Sequence, residues 1–203
     1  MNRPILSACL AMVALAGLAG PVAAQDVVRI GTTPESYPPF TWVDAQGKLN
    51  GFEIELADAL CAQMQVKCEW VLQSWDGIIP ALQEGKIDFI FASMTINPDR
   101  KQQVNFTHFY YDTQTVIVGN KSDTTKIDFD NPDSVKGKVF GAQNATIHSK
   151  FLQSRFSKTA EIKTYDGLDT ALADLGAGRV DYVQESYLTI EPFLKTDAGK
   201  DFE

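Results

Sequence analysis

The sequence predicts an α/β fold built from two successive strand–helix series, and three observations carry that expectation. From residue 27 onward, β-branched and aromatic runs alternate with helix-period runs, the pattern of parallel-rich sheets flanked by helices. A polar stretch at 120–133 is poor in apolar residues and interrupts the alternation, so it reads as a surface connection before a second series. In the first series, I-D-F-I-F-A-S-M-T-I-N-P-D-R at 87–100 passes from an apolar run into a hydroxyl-bearing turn that ends on an arginine.

The chain opens with Arg3, an apolar run from Ile5 to Leu18, the breakers Gly20 and Pro21, and Val22-Ala23-Ala24. Residues 1–24 read as a secretory signal cleaved after Ala24. Leu6-Ser7-Ala8-Cys9 is not a lipoprotein box, because the apolar region follows Cys9 instead of preceding it. No later stretch approaches about 18 consecutive apolar residues, so the expectation is an exported, soluble chain. A formal net charge of −8 argues against nucleic acid and against an anionic membrane surface as partners.

Three cysteines are present, and Cys9 leaves with the signal. Cys61 and Cys68 remain in an oxidising compartment, where a structural disulfide is the economical reading against a redox or metal role; closing so short a loop stabilises by about 2–3 kcal/mol. The only histidines, His108 and His148, lack metal-ligand spacing to the cysteines or to each other. No metal or cofactor is expected.

Taken in order, Val27–Gly31 is a strand, and 32–40 is an aromatic loop kept from helix by Pro34, Pro38 and Pro39. Thr41-Trp42-Val43 resumes extended structure and 45–48 turns. Gly51-Phe52 leads into a helix with Ile54, Ala57, Leu60, Cys61 and Met64 on its apolar face. Val66–Leu72 is a strand, after which Ser74 caps a helix from Trp75 to Glu84 ending at Gly85. Residues 87–92 form a buried strand. Extended pieces follow at 104–107 and 113–119. The second series places strands at 138–142, 161–165 and 180–184, and helices through Phe151 and Leu152, over 167–177 and over 187–194.

At the end of the strand at 87–92, Ser93 and Thr95 offer hydroxyls, Asn97-Pro98-Asp99 turns into a helix start, and Arg100 follows. A guanidinium fork with hydroxyls and turn N–H groups holds a carboxylate well, and ligands of open α/β sheets gather beyond the carboxyl ends of strands. The plainer alternative is a capped turn beside a solvated arginine.

Seven stretches together resemble the periplasmic solute-binding proteins of polar amino-acid ABC transporters, family 3, in the branch for lysine, arginine, ornithine, histidine and opines. They are G-T-T-P-E-S-Y-P-P-F at 31–40, G-F-E-I-E-L at 51–56, the Cys61/Cys68 pair, W-D-G-I-I-P-A-L at 75–82, the segment 85–100, K-G-K-V-F-G-A-Q at 136–143 and G-R-V-D-Y-V at 178–183. Each is weak alone; their order and spacing are specific. The resemblance implies a two-lobed periplasmic binding protein type 2 fold, each lobe a mostly parallel sheet flanked by helices. The expected division is lobe 1 at 25–115 and lobe 2 at 116–203. Relatives continue past Glu203 with a strand returning to lobe 1, so lobe 1 is expected to be incomplete.

By that resemblance the chain is a monomeric, periplasmic binding component and not an enzyme. It would capture a polar or cationic amino acid, or an opine, and deliver it to an inner-membrane permease. Arg100, Ser93 and Thr95 would hold the ligand's carboxylate with Thr146 at a helix start, while Tyr37 and Trp75 stack on its side chain. The family's amine-binding aspartate position counts to Ser186, with Glu185 beside it, so either Glu185 takes the amine or the ligand carries a substituted amine. Thr33 stands where cationic-amino-acid binders place an acid, leaving Glu35 as a substitute, and His148 stands within a departure from the usual Gly-Thr-Thr. The rival reading is a periplasmic dehydratase-like enzyme on the same scaffold, with Glu185 or Glu35 as its acid.

Overall fold

The computed structural model describes residues 27–203; the leader expected at 1–24, with its cleavage point and Cys9, lies outside the described residues. In the first lobe, β1 (Val27–Thr32) is followed by a ribbon of β2 (Trp42–Val43) and β3 (Leu49–Asn50), then α1 (Phe52–Met64), β4 (Lys67–Leu72), α2 (Ile78–Gln83), β5 (Phe89–Ile90) and α3 (Pro98–Lys101). β1 runs parallel between β4 and β5. The Cys61–Cys68 disulfide joins the end of α1 to β4, with a Cα–Cα distance of 6.2 Å.

Gly51 starts α1 at φ +126°, and a Cβ there would lie 2.1 Å from the Phe40 carbonyl oxygen. Only glycine lets the two backbones approach so closely. Phe40 O then accepts from Glu53 N at 3.1 Å, which docks the helix start on the aromatic loop.

The first lobe buries two small clusters, Ile30 with Ala57 and Cys61, and Ile78 with Ala81 and Ile87. Leu60 and Met64, expected on the apolar face of α1, are 45% and 55% exposed, and Phe89 of the expected buried strand is 52% exposed. Among the described residues the sheet has three strands, with β4 and β5 at its edges, so Phe89 of β5 lies on an edge strand. Ser74 makes no side-chain cap; Trp75–Gly77 forms a 3-10 turn, so α2 begins only at Ile78.

Residues 102–114 cross to the second lobe, and the strand expected at 104–107 is absent. Aromatic stacking holds this segment instead of ladder pairing: Tyr110 stacks on Phe91 at 5.3 Å and Tyr111 on Phe40 at 4.3 Å.

The second lobe contains β6 (Thr115–Gly119), β7 (Val139–Gln143), α4 (Ile147–Phe156), β8 (Glu161–Tyr165), α5 (Leu168–Gly176), β9 (Tyr182–Ser186) and α6 (Tyr187–Leu194). The sheet order is β6-β9-β7-β8, with β6 antiparallel and the other pairs parallel. The polar stretch at 120–133 therefore lies inside this lobe, between β6 and β7, and does not join the two. Ile127 packs on the core, and Asp123 accepts from Lys138 Nζ at 2.9 Å and Tyr182 Oη at 2.6 Å. One sheet face carries Leu168, Leu175, Val183 and Ile190; the other carries Phe140, Leu152 and Phe156. Each large side chain removed from water here contributes about 1.5–3 kcal/mol.

Candidate functional site

Ile87 is 1% exposed and pins the chain as it enters β5. Beyond β5 the backbone leaves the sheet and Ser93 adopts a left-handed φ of 50°, a conformation that non-glycine residues hold only when their surroundings enforce it. Asn97 then caps α3, its side chain accepting from Arg100 N at 2.9 Å, with Pro98 in the first helical turn. This short helix turns the Arg100 side chain back beneath the turn, where Nη1 donates to Thr95 O at 2.9 Å and the guanidinium sits 5.2 Å from the Trp75 ring centroid.

Arg100 is 8% exposed. Burial lowers its pKa, yet arginine keeps its charge at physiological pH. Among the described residues it has no carboxylate partner, in contrast to Arg29 and Arg179, which pair with Asp88 and Asp174. A buried cation without a counter-ion is costly, and this one faces the space between the lobes. Its Nη2 reaches across to Ala145 O at 3.5 Å.

Glu53 was not anticipated. It is 0% exposed, and its carboxylate accepts from Ser93 N at 2.6 Å, Ser93 Oγ at 2.8 Å, Thr41 Oγ1 at 3.2 Å and the Tyr110 hydroxyl. The Ser93 hydroxyl is thus committed to Glu53, while Thr95 is exposed at the rim. A signal was present: Glu53, Ala57 and Cys61 recur at four-residue spacing, which places the acid on the buried stripe of α1.

On the facing lobe, Thr146 caps α4. Its Oγ1 accepts from Ser149 N at 3.1 Å and donates to Gln143 O at 2.7 Å. Ala145 before it is left-handed at φ 55°, as Ser93 is on the first lobe. The N-terminus of α4, with Thr146, Ile147 and His148, lines the cleft, an orientation that favours an anion.

Glu185, at the end of β9, is 1% exposed. Its carboxylate accepts from Tyr37 Oη at 3.0 Å and Ser186 N at 2.8 Å and lies 2.9 Å from His148 Nε2. Burial alone would raise its pKa, but His148, together with Ser186 N–H and Tyr37, outweighs burial and holds it below the usual carboxylate value. The Tyr37 phenol is pushed well above its ordinary value by burial and by Glu185, which keeps it a donor. This hydrogen bond joins the lobes, and Tyr37 also packs against the second lobe's core.

Tyr37, Trp75, Ser93, Thr95, Arg100, Thr146, Glu185 and Ser186 all line this one cleft, which encloses about 620 Å³ of empty space including its open mouth. Thr33, Glu35 and His148 line it too, whereas His108 lies outside it. Glu35 stands at one end, its pKa raised by burial and by Asp166 and Asp169, with Oε2 buried and unpartnered among the described residues. No cluster of His, Cys, Asp and Glu among the described residues could hold a metal ion. No helix among them is long and apolar enough to cross a membrane.

Residues 28–190 match the sequence pattern of the family described as bacterial extracellular solute-binding proteins, family 3. The chain is 38% identical to the L-arginine-binding protein of Pseudomonas aeruginosa over 198 residues, covering 96% of this chain and 75% of that one. It is 36% identical to the lysine/arginine/ornithine-binding periplasmic protein of Escherichia coli K12 over 205 residues, covering 100% and 77%. Among solved structures, an ancestral arginine-binding protein bound to arginine superposes with a TM-score of 0.79 at 33% identity, covering 87% of this chain and 77% of that one.

Proposed function

Because this chain belongs to family 3 of the bacterial extracellular solute-binding proteins, we propose that its interlobe cleft closes on the α-carboxylate of a polar or cationic amino acid, or of an opine. The protein is a periplasmic, amino-acid-binding component of an ABC transporter and not an enzyme, and its partners are the ligand and a permease. The division into lobes at 25–115 and 116–203 belongs to this proposal.

The observation that carries the reading is Arg100, a buried cation aimed into the cleft with no acidic partner among the described residues. A carboxylate placed there takes the guanidinium fork on one side and the N-terminus of α4 at Thr146 on the other. Ser93 contributes through the shape of its turn and Thr95 from the rim. Trp75 and Tyr37 wall the space for the ligand's side chain. Glu35 with its free oxygen is a counter-charge for a cationic end, consistent with the ligands named for the relatives. Glu185 is already taken up by His148, Tyr37 and Ser186, so an amine shares its carboxylate or displaces Tyr37, and Ser186 offers a second, neutral contact.

Ligand closure needs only extra contacts in the closed state, and two cross-lobe hydrogen bonds, Tyr37 to Glu185 and Arg100 to Ala145, mark where these form. The test is calorimetric titration of the purified protein with arginine, lysine, ornithine, histidine, glutamine, octopine and nopaline. One or more is expected to bind, and Arg100→Met to weaken that binding by about 100-fold or more. Binding that survives Arg100→Met overturns the carboxylate assignment; heats absent for every ligand overturn the ligand class.

A further inference from the structure

Glu53 lines the cleft, yet the ligand reading gives it no task. Its two oxygens accept from four donors on three separate segments: Thr41 just after the aromatic loop, Ser93 twice from the turn after β5, and Tyr110 of the crossover between the lobes. Three of the four end on Oε1 and only Thr41 reaches Oε2, so Oε1, with about two lone-pair sites, is fully engaged by the protein's own groups.

What the group does follows from what it holds. Ser93 is left-handed, and both its N–H and its hydroxyl end on the same Glu53 oxygen. Two bonds from one residue to one acceptor fix the turn's direction, and a strained backbone persists only where it is over-determined. Two residues on, Thr95 O takes Arg100 Nη1, so the guanidinium is aimed by a turn that Glu53 anchors. Tyr110 lies on the segment 102–114 that bends if the lobes move, and it ends on that same oxygen. Gly51 makes the arrangement possible, since a Cβ there would drive the first turn of α1 away from Phe40.

We propose that Glu53 is the positioning residue of the cleft: it holds the Ser93–Arg100 turn in its carboxylate-gripping shape and ties that turn to the interlobe crossover through Tyr110. The inference rests on the proposed ligand reading but adds a role for a residue to which that reading gives none. Positioning and ligand contact are separable because the anchor and the guanidinium sit on different elements.

The test is calorimetry of the parent protein, Glu53→Gln and Tyr110→Phe with whichever amino acid or opine the parent binds, read as Kd and stoichiometry together. Glutamine keeps the size but turns one acceptor into a donor facing other donors, and Kd is expected to rise about tenfold or more with stoichiometry near that of the parent. Tyr110→Phe is expected to raise Kd about threefold and to reduce the drop in radius of gyration on ligand binding, followed by small-angle scattering. A merely structural role lowers the stoichiometry, as molecules unfold, and leaves the Kd of the remainder unchanged; that result overturns the inference. Should Glu53→Gln not fold, an unchanged Kd and unchanged compaction in Tyr110→Phe overturn it equally. A parent protein that binds none of the ligands overturns the ligand reading and this inference with it, whereas parent binding with an unaltered Glu53→Gln overturns this inference alone.

Discussion

Around Phe140 the second lobe stacks Phe156 at 5.4 Å and packs a tilted Tyr182 at 5.0 Å, with Leu152 and Val135 fully buried beside them. Around Ile30 the first lobe buries only Ala57 and Cys61, and its large apolar side chains Leu60, Met64, Leu72 and Phe89 stand 45–55% exposed. The two halves reach order by different means. The second has a packed core on each sheet face, while the first adds ties to its two small clusters: a disulfide, a helix start held against Phe40, and a buried carboxylate gathering three segments. A core resists perturbation by its volume, and a tie resists only until it is cut. The turn that presents Arg100 is built on the tied half.

All three tryptophans, Trp42, Trp70 and Trp75, lie in the first lobe, so fluorescence follows that half while far-UV circular dichroism follows both. Phe140→Ala is expected to cost about 3–5 kcal/mol in the second lobe, shifting the urea transition seen by circular dichroism more than the one seen by fluorescence. Equal shifts would show that the halves unfold as one unit. Reducing Cys61–Cys68 is expected to cost about 2–3 kcal/mol, now with the larger shift in fluorescence. Tyr37→Phe, which removes the hydroxyl joining the halves, is expected to change stability by about 1 kcal/mol and to weaken ligand binding several-fold in a calorimetric titration.

The smallest effect concerns acid. Glu185 has a folded pKa below its unfolded value, so its contribution is complete above the unfolded carboxylate value of about 4.3 and is lost as pH falls through the lower folded value. Thermal melts from pH 7 to 3 are expected to show the second lobe's loss on that acid side. In His148→Gln, burial dominates Glu185 and its folded pKa rises above the unfolded value, so this group no longer loses stability as pH falls: the variant is expected to be less stable at pH 7 and to show a smaller loss between pH 7 and 3 than the parent.

Much of this architecture was legible in the sequence. The strand at 161–165 and the helix at 187–194 lie where periodicity placed them, because local pattern and tertiary burial agree there. The residues proposed to face the ligand do converge on one cleft. What sequence could not show was edge position: Phe89 alternates like a buried strand residue but lies at the border of a three-stranded sheet. Residues 104–107 have strand-like composition yet find no ladder. Residue type alone does not single out Glu53, because an acid in a first helical turn ordinarily faces water, although its spacing to Ala57 and Cys61 marks the inner face. Glu185 was visible as a candidate, but its engagement by His148 and Tyr37 joins residues far apart in the chain, which no local pattern reports.

The left-handed pair Ser93, on the cleft wall, and Ala145, whose carbonyl Arg100 reaches from the other lobe, also bears on how such a sequence can drift. A β-branched side chain is poorly tolerated at positive φ, whereas glycine and asparagine enter it readily. A saturation library read for binding would therefore narrow at these two sites to small or locally hydrogen-bonding residues while neighbouring rim positions, such as Thr95, stay permissive. The grip would be inherited through two backbone conformations as much as through the side chains that meet the ligand.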